Sequence, residues 1–174
     1  MSHKAQREYI RSVRKLFPSF FSKESKVLEI GSLDINGSCR RFFSSQFYIG
    51  CDIGKGRGVD LVSHAHKLTF SDGFFDCIVS CEAFEHDKYL PSTLFNIIRM
   101  LKSGGLFMFT CATIGREEHG TTKHPESSPF TNDYYKNISV EYFRGLVNVD
   151  EYFSEYKFDI DMTEFDLRFY GVKK

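Results

Sequence analysis

The residues best equipped for chemistry in this chain are a few histidines, the acids beside them, and one carboxylate at the end of an apolar run. Glu85-His86 stands just after the run Phe74 to Ser80, and His119 and His124 frame a polar stretch further on. A histidine or carboxylate in such a place can take the proton of a hydroxyl that is becoming a nucleophile. His86 and His119 are the candidate catalytic bases, although His86 could equally cap the helix that follows it. Glu85, His124, Tyr134 and Tyr135 are candidate substrate-binding residues, since a phenol ring can stack on a sugar or another ring. His119 and His124 also offer two imidazoles to an ion. Two histidines without a third ligand at a familiar spacing do not make a metal motif, so no metal site is expected.

Asp52 belongs to a second pattern. Lys26 to Ile30 is a short apolar run stopped by Gly31, Phe47 to Asp52 is another that ends on the acid, and one helix's worth of residues lies between. A strand–helix–strand crossover is nearly always right-handed, so the turn after Ile30 and the end at Asp52 should meet at the carboxyl edge of a sheet. Dinucleotide sites place glycines where Leu33 and Asn36 stand, which argues against NAD. Asp52 follows Gly31 by 21 positions, a spacing that suits a carboxylate accepting from both ribose hydroxyls. A nucleoside cofactor without phosphates satisfies both facts. The glycine-rich run Ile53 to Gly58 is no P-loop, because Lys55 is followed by Gly56 where Ser or Thr is required; it reads as a flexible connection.

The elements that must position these groups follow from periodicity. Gln6 to Phe17 has helical spacing and ends at Pro18, giving an N-terminal capping helix within residues 1–25. Val59 to Val62 and Phe74 to Ser80 read as strands, Pro91 to Leu101 as a helix closed by Ser103-Gly104-Gly105, and Leu106 to Cys111 as a buried strand. Residues 112–138 show no period and form the expected active-site loop. Val140 to Val147 is a last helix, and Tyr156 to Met162 pairs with Phe165 to Val172 as an antiparallel hairpin. The expected fold is α/β: a Rossmann-like three-layer α/β/α sandwich with a mostly parallel seven-stranded sheet and a C-terminal antiparallel hairpin, in a single domain over residues 1–174.

Composition narrows the function classes. A hydrophobic share of 41% with 19 Phe and 9 Tyr excludes a disordered chain, and the formal net charge of +0 argues against a dedicated nucleic-acid binder. Five cysteines without a CxxC pair support neither a disulfide framework nor a zinc knuckle. No apolar run reaches the ~18 residues of a membrane span, and the charged start lacks a signal core, so a soluble cytoplasmic protein is expected.

Taken in order, Val27 to Gly31, Tyr48 to Asp52, Ala65 to Leu68 with Phe70, Phe74 to Ser80 and Leu101 to Leu106 resemble the motifs of the class I S-adenosylmethionine-dependent methyltransferases of the type 11 group. The resemblance runs from about Lys26 to Val172. It implies S-adenosyl-L-methionine as cofactor, held by Glu29, Gly31, Ser32, Leu33, Asp52, Ile53, Ala65, His66 and Cys81, with Glu29 positioning the motif loop and Asp52 holding the ribose. This sequence departs from the family pattern at Leu33, where a second glycine is common, and at His64, where an acid often faces the adenine. After the fourth strand, Ser80 to Phe84 lacks the Asn/Asp-Pro-Pro-Tyr segment of amide and base N-methyltransferases. The expected function is therefore methyl transfer to a hydroxyl of a glycan or other small molecule, with nucleic acid disfavoured and the oligomeric state open. The alternatives are a non-catalytic cofactor-binding partner subunit and an RNA or protein methyltransferase that depends on a partner.

Overall fold

The computed structural model describes residues 4–123, 130–131 and 133–174. Its centre is β1 (Lys26–Ile30), flanked in parallel by β2 (Phe47–Asp52) and β4 (Phe75–Cys81). β3 (Leu61–Val62) adds outside β2, and β5 (Leu101–Ala112) outside β4. β6 (Phe153–Asp161) and β7 (Asp166–Lys173) form the antiparallel hairpin, and β7 inserts between β5 and β6. The sheet thus has seven strands in the order β3-β2-β1-β4-β5-β7-β6. Only β7 runs against the rest, since a hairpin docked by its second strand must reverse that strand.

Strand side chains alternate between two cores. Leu28, Ile30, Ile78, Phe107 and Phe109 face α2 (Leu90–Met100) and α3 (Val140–Leu146) through Leu94, Ile97 and Phe143. Val27, Cys77, Val79, Leu106 and Met108 face α1 (Lys4–Leu16) through Tyr9, Ile10 and Val13. Ile10 and Val13 are completely buried, each stabilising the layer by roughly 1.5–3 kcal/mol. All five cysteines are buried and reduced. A short α4 (Val149–Tyr152) leads into β6.

Two expectations change. No α-helix links β1 to β2; the crossover holds only a 3₁₀ turn at Cys39–Phe42. Asp34 explains this, because its Oδ1 accepts the Gly37 N–H at 2.8 Å and its Oδ2 pairs with Arg57, so side-chain bonds replace the helical ones. Nor is the run Ile53 to Gly58 a loose connection. A Cβ on Gly54 would lie 1.9 Å from the Phe130 ring, and one on Gly56 would lie 2.4 Å from Leu33, so these glycines are close-packing sites. Among the described residues, no helix is long and apolar enough to cross a membrane.

Candidate active site

The carboxyl ends of β1, β2 and β4 open into one cleft of about 200 Å³. Gly31 forms its floor at φ +75, and a Cβ there would stand 2.4 Å from that of Ala83. The backbone can turn and approach a ligand only because this residue has no side chain. Asp52 lies beside it. Its Oδ2 accepts the Leu33 N–H at 3.0 Å and its Oδ1 the Gly54 N–H at 2.9 Å. A carboxylate has about four acceptor positions, so each oxygen keeps a lone pair for a ligand hydroxyl. Leu33, Ile53 and Ala65 also line the cleft, with His64, Tyr89, Phe130 and Thr131.

Several expected cofactor residues act from outside the wall. Ser32 is buried beneath it, with an Oγ that has no hydrogen-bond partner among the described residues. Glu29 is buried behind the turn, where it accepts from Tyr48 Oη at 2.9 Å and the Cys39 N–H at 3.3 Å. Burial raises its pKa against the lowering effect of these bonds. It braces the chain after Gly31. His66 does not line the cleft; its ring packs against Tyr89, 4.4 Å between centroids. Cys81 does not line the cleft. Strand alternation sends its side chain to the α1 face, where Sγ lies 3.0 Å from Cys39 Sγ, while the next two residues, Glu82 and Ala83, face the cleft.

The histidine end is built by β4, β5 and the long loop. Glu85 and His86 lie on a 3₁₀ turn, Phe84–His86, that leaves β4 through Glu82 at φ 53. Such a conformation is strained for a non-glycine residue and often marks functional ground. The loop closes at its base through Ile138 N–H to the Ala112 carbonyl at 2.9 Å and Thr113 Oγ1 to the Ile138 carbonyl at 2.7 Å. This brings His119 to His86, with ring centroids 5.1 Å apart, and Tyr135 against both. His86 lines the cleft, whereas Glu85, His119 and Tyr135 stand behind it. Tyr134 contributes its carbonyl, 3.3 Å from His86 Nδ1. No side chain caps α2 at Tyr89, so the His86 ring does not; Asp87 accepts the Tyr89 N–H just before the helix. His124 lies outside the described residues.

Burial sets the charges here. It pushes His86 down to about 4, so the ring is neutral near pH 7. His119 is lowered for the same reason, against its bond to the Glu117 carbonyl. The carboxyls of Glu82 and Glu85 are both raised, first by burial, and for Glu82 also by the charge of Glu85. Sequence reading missed Glu82, Tyr89 and Phe130. Glu82 could have been found from the strand period, since it follows a buried strand residue at the carboxyl edge; Phe130 had no local signal.

This architecture has known counterparts. A family described as methyltransferase domain matches residues 1–144. This chain belongs to that methyltransferase family. Solved methyltransferase folds agree with its sheet order and hairpin. A methyltransferase from Haloferax volcanii, solved in complex with the Trm112 activator, superposes with a TM-score of 0.64 at 16% identity, covering 97% of this chain and 90% of the other. The YcgJ protein of Bacillus subtilis gives 0.65 at 14% identity, covering 96% and 98%. A phosphoethanolamine N-methyltransferase of Haemonchus contortus, bound to phosphomonomethylethanolamine and S-adenosylhomocysteine, gives 0.67 at 17%, covering 98% of this chain and 52% of that one. No curated protein sequence matches the chain. In this methyltransferase domain the Gly31–Asp52 edge and the histidine end are two ends of one cleft.

Proposed function

We propose that this domain transfers methyl from S-adenosyl-L-methionine to a hydroxyl of a glycan or other small molecule. The observation that carries the reading is the cleft itself, which joins a Gly31–Asp52 nucleoside seat to His86 in the opposite wall. The cofactor fits the residues present. Gly31 lets the backbone approach its amino-acid end, Asp52 keeps a lone pair on each oxygen for the ribose diol, and Ala65 stands where the base would lie. Ser32 and Glu29 support that seat from beneath, and Glu82 lines the same cleft.

When bound, the cofactor supplies a methyl carbon on a sulfonium, ready for in-line displacement. The protein's task is then to hold the acceptor oxygen in line and exclude water. His86 and His119, neutral near pH 7, activate the acceptor hydroxyl, and Glu85 lies 3.9 Å from His119 Nε2. Tyr89 in the cleft wall offers an aromatic surface for a ring acceptor, and Tyr135 packs against His86 from behind it. Transfer assays with labelled cofactor against sugars, polyols and phenols, beside amines and RNA, test the choice. Labelling of an oxygen in the hydroxyl set is expected; labelling of amines alone would overturn the hydroxyl assignment. A second reading, dependence on a partner, draws on the Haloferax methyltransferase having been solved with its activator. Full turnover by the purified chain would dismiss it.

A further inference from the structure

Three side chains at the histidine end converge more closely than proton transfer alone requires. Glu85, His86 and His119 each present a ligand-type atom, and these atoms all lie within 4.8 Å of one another. Glu85 and His86 come from the turn after β4, and His119 comes from the loop after β5. Chain segments far apart in sequence thus bring two imidazoles and a carboxylate to one point.

The orientation of each ring is fixed. His86 Nδ1 lies 3.3 Å from the Tyr134 carbonyl, and His119 Nδ1 lies 3.1 Å from the Glu117 carbonyl. A carbonyl can only accept, so each neutral ring carries its proton on Nδ1 and its lone pair on Nε2. Ion-binding histidines are commonly held this way, one nitrogen on a backbone carbonyl and the other toward the ion. Glu85 supplies a second, independent observation. Its side chain is 0% exposed; Oε1 accepts the Ala112 N–H at 3.3 Å, and Oε2 has no hydrogen-bond partner among the described residues. A fully buried carboxylate oxygen without a donor is costly unless it is protonated or something positive meets it.

We infer that Glu85, His86 and His119 form a binding site for one divalent transition-metal cation at the acceptor end of the cleft. One oxygen and two imidazole nitrogens suit Mn²⁺, Co²⁺ or Zn²⁺ better than Mg²⁺ or Ca²⁺, which favour all-oxygen shells. Donors sharing an ion at about 2.0–2.2 Å sit roughly 3–3.5 Å apart, so the 3.9 Å from His119 Nε2 to Glu85 Oε1 closes by less than about 1 Å on binding. Three protein ligands leave coordination positions open, as catalytic rather than structural sites do, and one of the three, His86, lines the cleft. Glu82 lines the same cleft.

The role of the cation rests on the methyl-transfer reading above; its binding does not. An acceptor hydroxyl entering an open position is oriented and made more acidic. Its proton passes to solvent, the oxygen pair forms the bond to the methyl carbon, and the carbon–sulfur pair stays on sulfur. The histidines then serve as ligands, and the hydroxyl is activated by the cation they hold.

The test uses the full chain freed of metal by chelator and dialysis, titrated with Mn²⁺ alone by loss of its free-ion paramagnetic signal and with Zn²⁺ alone by calorimetry. One site per chain is expected, weakened at least tenfold in His119→Ala and in Glu85→Gln. His119→Ala sits on the loop and keeps the test valid if the buried Glu85 variant fails to fold. Binding of S-adenosylhomocysteine is measured in parallel and should change less than about twofold in His119→Ala. Absence of a one-to-one site for either ion, or a site indifferent to His119→Ala, overturns the inference. So does turnover that survives the chelator yet is lost in His86→Ala, which would restore direct base catalysis. Cation binding without any S-adenosylhomocysteine binding would sink the methyl-transfer reading and leave the cation site standing.

Discussion

Asn in place of Asp52 is the sharpest perturbation of the cofactor seat, because it keeps the shape and removes the charge. In the native chain both oxygens accept backbone N–H groups, from Leu33 at 3.0 Å and from Gly54 at 2.9 Å. An amide has only one oxygen. Whichever way it turns, its NH₂ faces one of those N–H groups, donor against donor, and it offers the ribose one acceptor fewer. A hydrogen bond to a charged group contributes about 1.5–3 kcal/mol, so S-adenosylhomocysteine should bind Asp52→Asn about ten- to hundred-fold more weakly by calorimetry. Part of that loss could come from the slackened turns and not from the ribose. A cycle with the 2′-deoxy analogue of the ligand separates the two. The native chain should lose affinity for the analogue, while Asp52→Asn should discriminate little between analogue and parent. Equal discrimination by both proteins would refute the contact, and a loss of under about threefold in Asp52→Asn would refute the ribose assignment altogether.

Two further predictions concern the scaffold. Gly31→Ala meets both a φ of +75 and a Cβ contact of 2.4 Å with Ala83, so it should destabilise by about 1–3 kcal/mol or more. Adding Ala83→Gly should recover only the contact part, read as a partial rescue of the midpoint in urea; full rescue would mean the backbone is unstrained. Asp76 bridges Lys102 Nζ and the Lys26 N–H, and although burial alone would raise its carboxyl, these partners hold it below the ordinary 3.8. A carboxyl depressed in the folded state stabilises above its unfolded value and loses that contribution as pH falls through the folded one. The native chain should therefore exceed Asp76→Asn in urea stability at pH 7, with the gap narrowing as pH falls below 3.8. A gap unchanged at pH 3 would show that the ion pair is not its source.

The central strands were legible because both of their faces meet an apolar core, so they read as continuous apolar runs. Phe75–Cys81 is buried at almost every position, so the run stands out. The crossover after β1 misled for a physical reason. Its length allows a helix, but Asp34 ties Gly37 and Arg57, and no count of residues between strands reveals that competition. Expectations placed at strand ends suffered likewise from a period of two. Cys81 and Glu82 are adjacent, yet one joins the α1 core and the other the cleft.

What sequence could not supply is the meeting of segments. Gly54 follows Asp52 by two positions and looks like slack, but its missing Cβ makes room for the Phe130 ring. The loop thereby reaches over the nucleoside seat at Phe130 while its earlier part brings His119 to Glu85 and His86. One loop, closed at Ala112 and Ile138, thus contributes to both ends of the cleft. Should a ligand that contacts Phe130 alter cation affinity at His119, the cation must alter that ligand's affinity in return. Reciprocity of binding free energies requires these effects to be equal. A coupling measured with cofactor or cation therefore fixes the other's without a further assumption.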